Sequence, residues 1–207
     1  MADETTQAGL SAVGGVVFDM DGTLTECNLD FDRIRAECGV PGGQSILEFM
    51  ERVPESQREM AESVLHRHER RAARDCALRD GARRVLRKLR QRGMKLALLT
   101  RNSSRSVRTV TERFGLCFDA TVSRDDAEPK PSPEPVLEIA RRLGLEPNRL
   151  VVVGDYLFDM QAGRTAGART AFMRVRDDLE PPPEADLTID RLEELLDLLP
   201  ETPEPRR

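Results

Sequence analysis

The chain reads as an α/β protein: a doubly wound, mostly parallel sheet with an all-helical insertion after its first strand. Three observations predict this. Continuous apolar runs too short for helices recur along the 207 residues, at Val16–Phe18, Leu96–Leu99 and Leu150–Val153; strands buried on both faces are typical of a parallel sheet. Between them lie segments with apolar residues at three- and four-residue spacing, the pattern of one-sided helices. The stretch from Thr25 to about Arg79 carries helical patterns and no strand.

In chain order, strands are expected near Val13–Phe18, Lys95–Thr100, Ala120–Val122, Leu150–Val153 and Thr170–Met173, with a short last one at Asp186–Ile189. Within the insertion, Ile46, Leu47, Met50 and Val53 form one apolar stripe, and Met60, Val64 and Leu65 begin a longer helix. Ala82, Val85, Leu86 and Leu89 give the next helix a single apolar face. Ser103 or Ser104 is placed to cap a helix through Val107, Val110 and Phe114 that stops at Gly115. Pro133 suits the first turn of a helix carrying Val136, Leu137, Ile139 and Leu143, with Gly144 just past its end. Asp190 with Glu193 reads as a capping box for a final helix through Leu195, Leu196 and Leu199. The expected division is a discontinuous core of residues 13–24 and 80–199 and a helical module of residues 25–79. Residues 1–12 and 200–207 read as disordered tails, and Pro181–Pro183 as a stiff exposed loop.

The composition is that of a mildly acidic soluble protein, 39% hydrophobic with a net charge of −5. No stretch approaches the roughly 20 apolar residues that cross a bilayer, so no membrane partner is expected. Met1–Thr6 is polar and acidic, unlike a signal peptide. Cys27, Cys38, Cys76 and Cys117 are scattered without a CxxC pair, which fits reduced thiols in a cytoplasmic protein. The histidines, His66 and His68, are two apart on a helix and point to different faces; His68 falls near the Met60–Val64 stripe and reads as packing. Arg67 to Arg92 holds ten arginines and Lys88, which reads as a solvated helix face, or as attraction for an anionic substrate. Nucleic acid is not an expected partner: the chain is acidic overall, only 4% aromatic, and carries no reading motif. Oligomeric state stays open.

The chemistry concentrates at strand ends. Val16-Val17-Phe18-Asp19-Met20-Asp21-Gly22-Thr23 takes an apolar strand into two carboxylates one residue apart and a glycine turn. Alternation along an extended strand puts Asp19 and Asp21 on the same side, and the pair suits Mg²⁺ binding with one carboxylate left as nucleophile. The bland alternative is an acidic strand-to-loop turn. The strand at Leu96–Leu99 ends in Thr100-Arg101-Asn102, Lys130 stands in a Pro-rich connection, and Leu150–Val153 closes on Gly154-Asp155 with Asp159 four residues on. In doubly wound sheets sites lie beyond the carboxyl ends of the strands, and these segments share that edge.

In this order and spacing (DxDGT, a strand ending in Thr, Lys, then GDxxxD) the chain resembles the haloacid dehalogenase superfamily, from Val16 to Asp159. The resemblance implies a Rossmann-like core with a small cap of the C1 type and a phosphatase acting with Mg²⁺ on a small phosphorylated metabolite. It further implies that Asp19 is the nucleophile forming an aspartyl-phosphate and that Asp21 is the acid and base for leaving alcohol and water. The metal would be held by Asp19, Asp155 and the Asp21 backbone carbonyl, with Asp159 supporting its water shell or orienting Lys130; a first-turn helix acid is the plainer reading of Asp159. Thr100 and Lys130 would bind the phosphoryl oxygens, joined by the Met20, Asp21 and Arg101 backbone N–H groups. Arg101 and Asn102 are further candidates, Asn102 equally a helix cap. Tyr156 departs from the small hydroxyl residue of relatives and is a candidate to line the cleft. Asp21 speaks against dehalogenation, where halide leaves unprotonated. A phosphomutase is the alternative of the same fold, disfavoured by the small cap, and a non-catalytic phosphate-binding protein is the second, disfavoured because every needed residue type is present.

Overall fold

A computed structural model describes residues 10–26 and 29–201. Its strands are β1 (Gly15–Phe18), β2 (Lys95–Leu99), β3 (Ala120–Val122), β4 (Leu150–Gly154), β5 (Arg169–Met173) and β6 (Leu187–Ile189). They form one parallel sheet in the order β3-β2-β1-β4-β5-β6. β1 is central, with Phe18 level with Leu98 of β2 and Val153 of β4. The three strands that carry the motifs are therefore neighbours ending at one edge.

The helices are α1 (Phe31–Cys38), α2 (Ile46–Met50), α3 (Glu55–Asp75), α4 (Ala82–Gln91), α5 (Ser104–Phe114), α6 (Glu134–Leu143), α7 (Leu157–Thr165) and α8 (Leu195–Leu198). Successive strand residues feed opposite layers. Val16, Phe18, Leu96, Leu98, Val151 and Val153 pack with α4, α5 and the C-terminal leucines. Val17, Ala97, Leu99 and Val152 pack with α6 and α7. Apolar side chains are needed on both faces, which is why the strand sequences run apolar without alternation; full burial of each such side chain contributes about 1.5–3 kcal/mol. Helices α1, α2 and α3 gather Ile34, Cys38, Ile46, Met50, Ala61, Val64 and Leu65 into a separate apolar cluster, and α3 also packs along α5.

Several local expectations are corrected. Leu10 is not in a loose tail but in the main core, and the Ala12 carbonyl accepts from Arg149 Nε at 3.0 Å; an apolar residue so close to a central strand is drawn into its layer. At the other end, Glu201 pairs with Arg92 at 2.7 Å. Residues 1–9 and 202–207, like Cys27, lie outside the described residues. Met60 is exposed, because the buried face of α3 runs instead through Ala61, Val64, Leu65, Ala72 and Ala73. His68 is not packing: its Nε2 lies 2.9 Å from Glu37 of α1. Asp190 is drawn to Arg174, at 2.7 Å, so the final cap forms one residue later, with Glu194 accepting from Arg191 N at 2.9 Å. Pro133 precedes the first turn of α6, while Pro135 lies inside it.

Candidate active site

β1 ends at Phe18, so the turn beyond it, rather than strand alternation, brings Asp21 into the same cleft as Asp19. Asp19 continues the ladder, its N–H donating to Val153 O at 2.9 Å. The chain then closes a turn in which the N–H groups of Leu24 and Thr25 both donate to Met20 O. Gly22 makes this possible: its φ is +88°, and a Cβ there would lie 2.1 Å from an Asp155 carboxylate oxygen. Gly154 does the same for the β4 loop, since a Cβ would stand 2.2 Å from Asp159 Cγ.

Lys130 is the hub. It is 3% exposed, and its Nζ donates to Asp19 Oδ1 at 2.6 Å, to Leu99 O at 3.3 Å, and to Asp159 Oδ1. The Lys130–Pro131 peptide is cis. Asp159, in the first turn of α7, also accepts from Tyr156 N at 3.2 Å; it is a helix-start acid and a lysine partner at once. Burial alone would lower the lysine; the Asp159 and Asp19 carboxylates outweigh it and hold Lys130 above the usual range.

Asp19, Asp155 and Asp159 each place a carboxylate oxygen within 4.8 Å of the others. Burial pushes Asp19 well above the ordinary carboxyl range, opposed by Lys130 and reinforced by Asp159 and Asp155. Asp155 is pushed up to about 7, first by burial and then by Asp159. Three carboxylates around one ammonium leave an excess of negative charge in a water-poor place. An all-oxygen donor set with that excess fits a hard divalent cation.

Asp21 stands apart from this cluster by its side chain. Asn102 Nδ2 donates to its Oδ2 at 2.5 Å and Thr25 Oγ1 to its Oδ1 at 3.2 Å. Burial raises its pKa, against these two bonds, and Glu69 adds to the rise. Asn102 is thus engaged by Asp21 rather than capping α5, whose first N–H, at Ser104, is met by Asp125 at 2.8 Å. Thr100 is buried at the cleft, its Oγ1 accepting from Asn102 N at 3.2 Å. Arg101 turns its guanidinium to the helical insertion: it donates to Ser45 Oγ at 2.9 Å and Glu48 Oε1 at 3.0 Å, and to Lys130 O at 2.6 Å. It also lies 4.7 Å from the Phe158 ring centroid. That engagement sets its side chain apart from the phosphate role expected of it.

The cleft measures about 410 Å³, with the carboxylates, Lys130 and Thr100 on one side and residues of α1 and α2 on the other. Tyr156 lines it, 59% exposed and edge-on to Phe158 at 5.0 Å. Two contributors escaped the sequence reading. Glu69 of α3 is 2% exposed in the cleft wall, bonded by Arg124 Nη2 at 3.1 Å, by Arg124 Nη1 and by Ser103 Oγ. Arg79 Nη2 donates to Gly22 O at 2.7 Å, bracing the turn between Asp19 and Thr25. Neither has a local signal; both sit in the arginine-rich stretch that reads as surface.

Residues 13–167 match the family model of haloacid dehalogenase-like hydrolases. The chain belongs to that family. Among relatives of this hydrolase, an uncharacterized hydrolase of Saccharomyces cerevisiae is 31% identical, covering 92% of this chain and 93% of its own. An N-acetylmuramic acid 6-phosphate phosphatase of Pseudomonas aeruginosa is 28% identical over 89% of this chain and 93% of its own. The crystal structure of CbbY from Rhodobacter sphaeroides in complex with phosphate is similar with a TM-score of 0.70 and 25% identity, covering 90% of this chain and 99% of that one. The haloacid dehalogenase-like hydrolase described here is thus similar over nearly its whole length to enzymes of the same architecture.

Proposed function

We propose that this hydrolase is a cytoplasmic Mg²⁺-dependent phosphatase that cleaves a small phosphomonoester through an aspartyl-phosphate on Asp19. The carrying observation is the group of buried Asp19, Lys130 and Asp159 with half-buried Asp155 at the sheet edge, with Asp21 held separately by Asn102 and Thr25. The relative named as an N-acetylmuramic acid 6-phosphate phosphatase supports the same activity.

Asp19 and Asp155 would hold the cation, alongside the Asp21 backbone carbonyl, with Asp159 orienting Lys130 or supporting the cation's water shell. Once bound, Mg²⁺ supplies charge stabilisation for the phosphoryl oxygens. The protein's own groups do the rest. Lys130 and Thr100 orient the phosphoryl group so that an Asp19 oxygen lies in line with the scissile bond; the P–O bond to the alcohol breaks as the Asp19–phosphorus bond forms. Asp21, kept protonatable by burial, gives its proton to the departing alkoxide and then takes one from the water that hydrolyses the acyl phosphate. Separate surroundings for the two aspartates divide nucleophile from acid. Helices α1 to α3 act as the cap over the cleft, with residues 25–79 as the inserted module.

The test is phosphate release from p-nitrophenyl phosphate and a panel of metabolite phosphates, with Mg²⁺ and with chelator, for the wild type and Asp19→Asn. Mg²⁺-dependent release lost in the variant is expected. Release that persists in Asp19→Asn overturns the nucleophile assignment.

A further inference from the structure

Three arginine or lysine side chains line the cleft among the described residues: Lys130, Arg101 and Arg35. Two are committed. Lys130 is shared by Asp19 and Asp159, and Arg101 is paired with Glu48. Arg35 of α1 differs. Its bond runs back along its own helix to Asp32 Oδ1 at 2.5 Å, and the Asp32 side chain is 93% exposed. A pair with so exposed a carboxylate contributes little and is readily exchanged for a better partner.

Among the described residues that line that wall, the one acid is Glu69. Gln44 and Ser45 stand in it beside the apolar Leu29 and Ile46. The acidic wall residue supplied by α3, Glu69, has both oxygens taken by Arg124 and Ser103. Among the described residues that line the cap side, a positively charged substrate end would therefore meet Arg35 and find no open carboxylate; Asp32, outside the lining, is held by Arg35 itself. An anionic end would meet a guanidinium fork against apolar neighbours, where a charge-assisted hydrogen bond is stronger than in open water.

We propose that Arg35 selects substrates whose leaving alcohol carries a second anionic group, a carboxylate or a further phosphate. This rests on the phosphatase reading above and names the substrate class of that same site.

The test compares kcat/KM for phosphate release from primary-alcohol phosphomonoesters of similar length ending in carboxylate, phosphate, hydroxyl or ammonium. The wild type is expected to favour an anionic end over hydroxyl by roughly tenfold or more, with ammonium the poorest and the preference shrinking as salt rises. Whichever anionic compound leads identifies the group. Arg35→Gln should erase the preference and Arg35→Lys keep part of it. A wild type that turns over hydroxyl or ammonium compounds as well as anionic ones overturns the assignment, and so does full preference in Arg35→Gln. A wild-type ranking without the preference overturns the assignment even if a variant misfolds, and Arg35→Lys gives a second reading should Arg35→Gln fail to fold. No release from any compound would instead overturn the phosphatase reading, so the two failures are distinct.

Discussion

The ammonium of Lys130 lies 2.6 Å from Asp19 Oδ1, and both side chains are withdrawn from water. The same ammonium also holds Asp159, so one cation keeps two buried carboxylates from facing each other unscreened. Such a group is sustained only while each member is present, because removing one leaves the others desolvated and unpaired.

Lys130→Ala should accordingly cost about 3–5 kcal/mol of stability in the absence of a divalent cation, as well as most of the activity. Urea unfolding with chelator measures the first and phosphate release the second. A loss well under 1 kcal/mol would show that the carboxylates simply take up protons or water.

Asp21→Asn removes a proton donor while keeping a side chain of similar shape. Hydrolysis of alkyl phosphates should slow by about 10²–10⁴. p-Nitrophenyl phosphate, whose leaving group departs without a proton, should suffer less in the first step and accumulate phosphorylated protein. Equal losses for both substrate types, with no accumulation, would remove Asp21 from the acid role.

The pH dependence follows from Asp155, pushed up to about 7 from an ordinary 3.8. A carboxyl raised on folding binds its proton more tightly folded than unfolded. Its contribution to stability therefore falls as pH rises from about 4 to about 7 in chelator. A cation competes for the deprotonated form, so the gain in Tm from Mg²⁺ should grow across that window, and Asp155→Asn should flatten it. Thermal unfolding with and without Mg²⁺, at about pH 5 and about pH 8, reads the difference; an equal gain at both would contradict it.

Glu69 and Arg124 supply a fourth expectation. Arg124→Ala strands a carboxylate that is 2% exposed and should cost about 3–5 kcal/mol. Glu69→Leu with Arg124→Leu removes both charges and should cost much less. Urea unfolding of both variants decides it; if the double variant is as unstable as the single one, the ion pair itself is the source of stability.

What could be read from sequence was whatever has a short-range signature. Strand ends are legible where Phe18, Leu99 and Gly154 give way to polar residues, and helix faces where Ala82, Val85, Leu86 and Leu89 recur. The partners of those residues could not be read. Arg101 finds Glu48 53 residues away, and Arg124 finds Glu69 at a separation of 55. Nothing near either residue marks it as bridging rather than solvated. The cap expected at Asp190 fails for the same reason, since Arg174 on a neighbouring strand end outcompetes it. The carboxylate grouping was half legible: Asp19 and Asp155 by their position after apolar strands, while the placing of Asp159 depends on Lys130 and on the missing side chain of Gly154.

The helical insertion leaves and rejoins the sheet domain through two short legs that bond to each other. Thr25 pairs with Leu78, Glu26 N donates to Ala77 O at 3.0 Å, and Arg79 N to Leu24 O at 2.9 Å. Thr25 is also the residue whose hydroxyl reaches Asp21. The residue at which the two legs pair and the residue that tethers Asp21 are one and the same. A displacement of the module that parts Thr25 from Leu78 would act on the residue that holds Asp21, so under the proposed mechanism the seating of the helical module and the readiness of the acid would be linked.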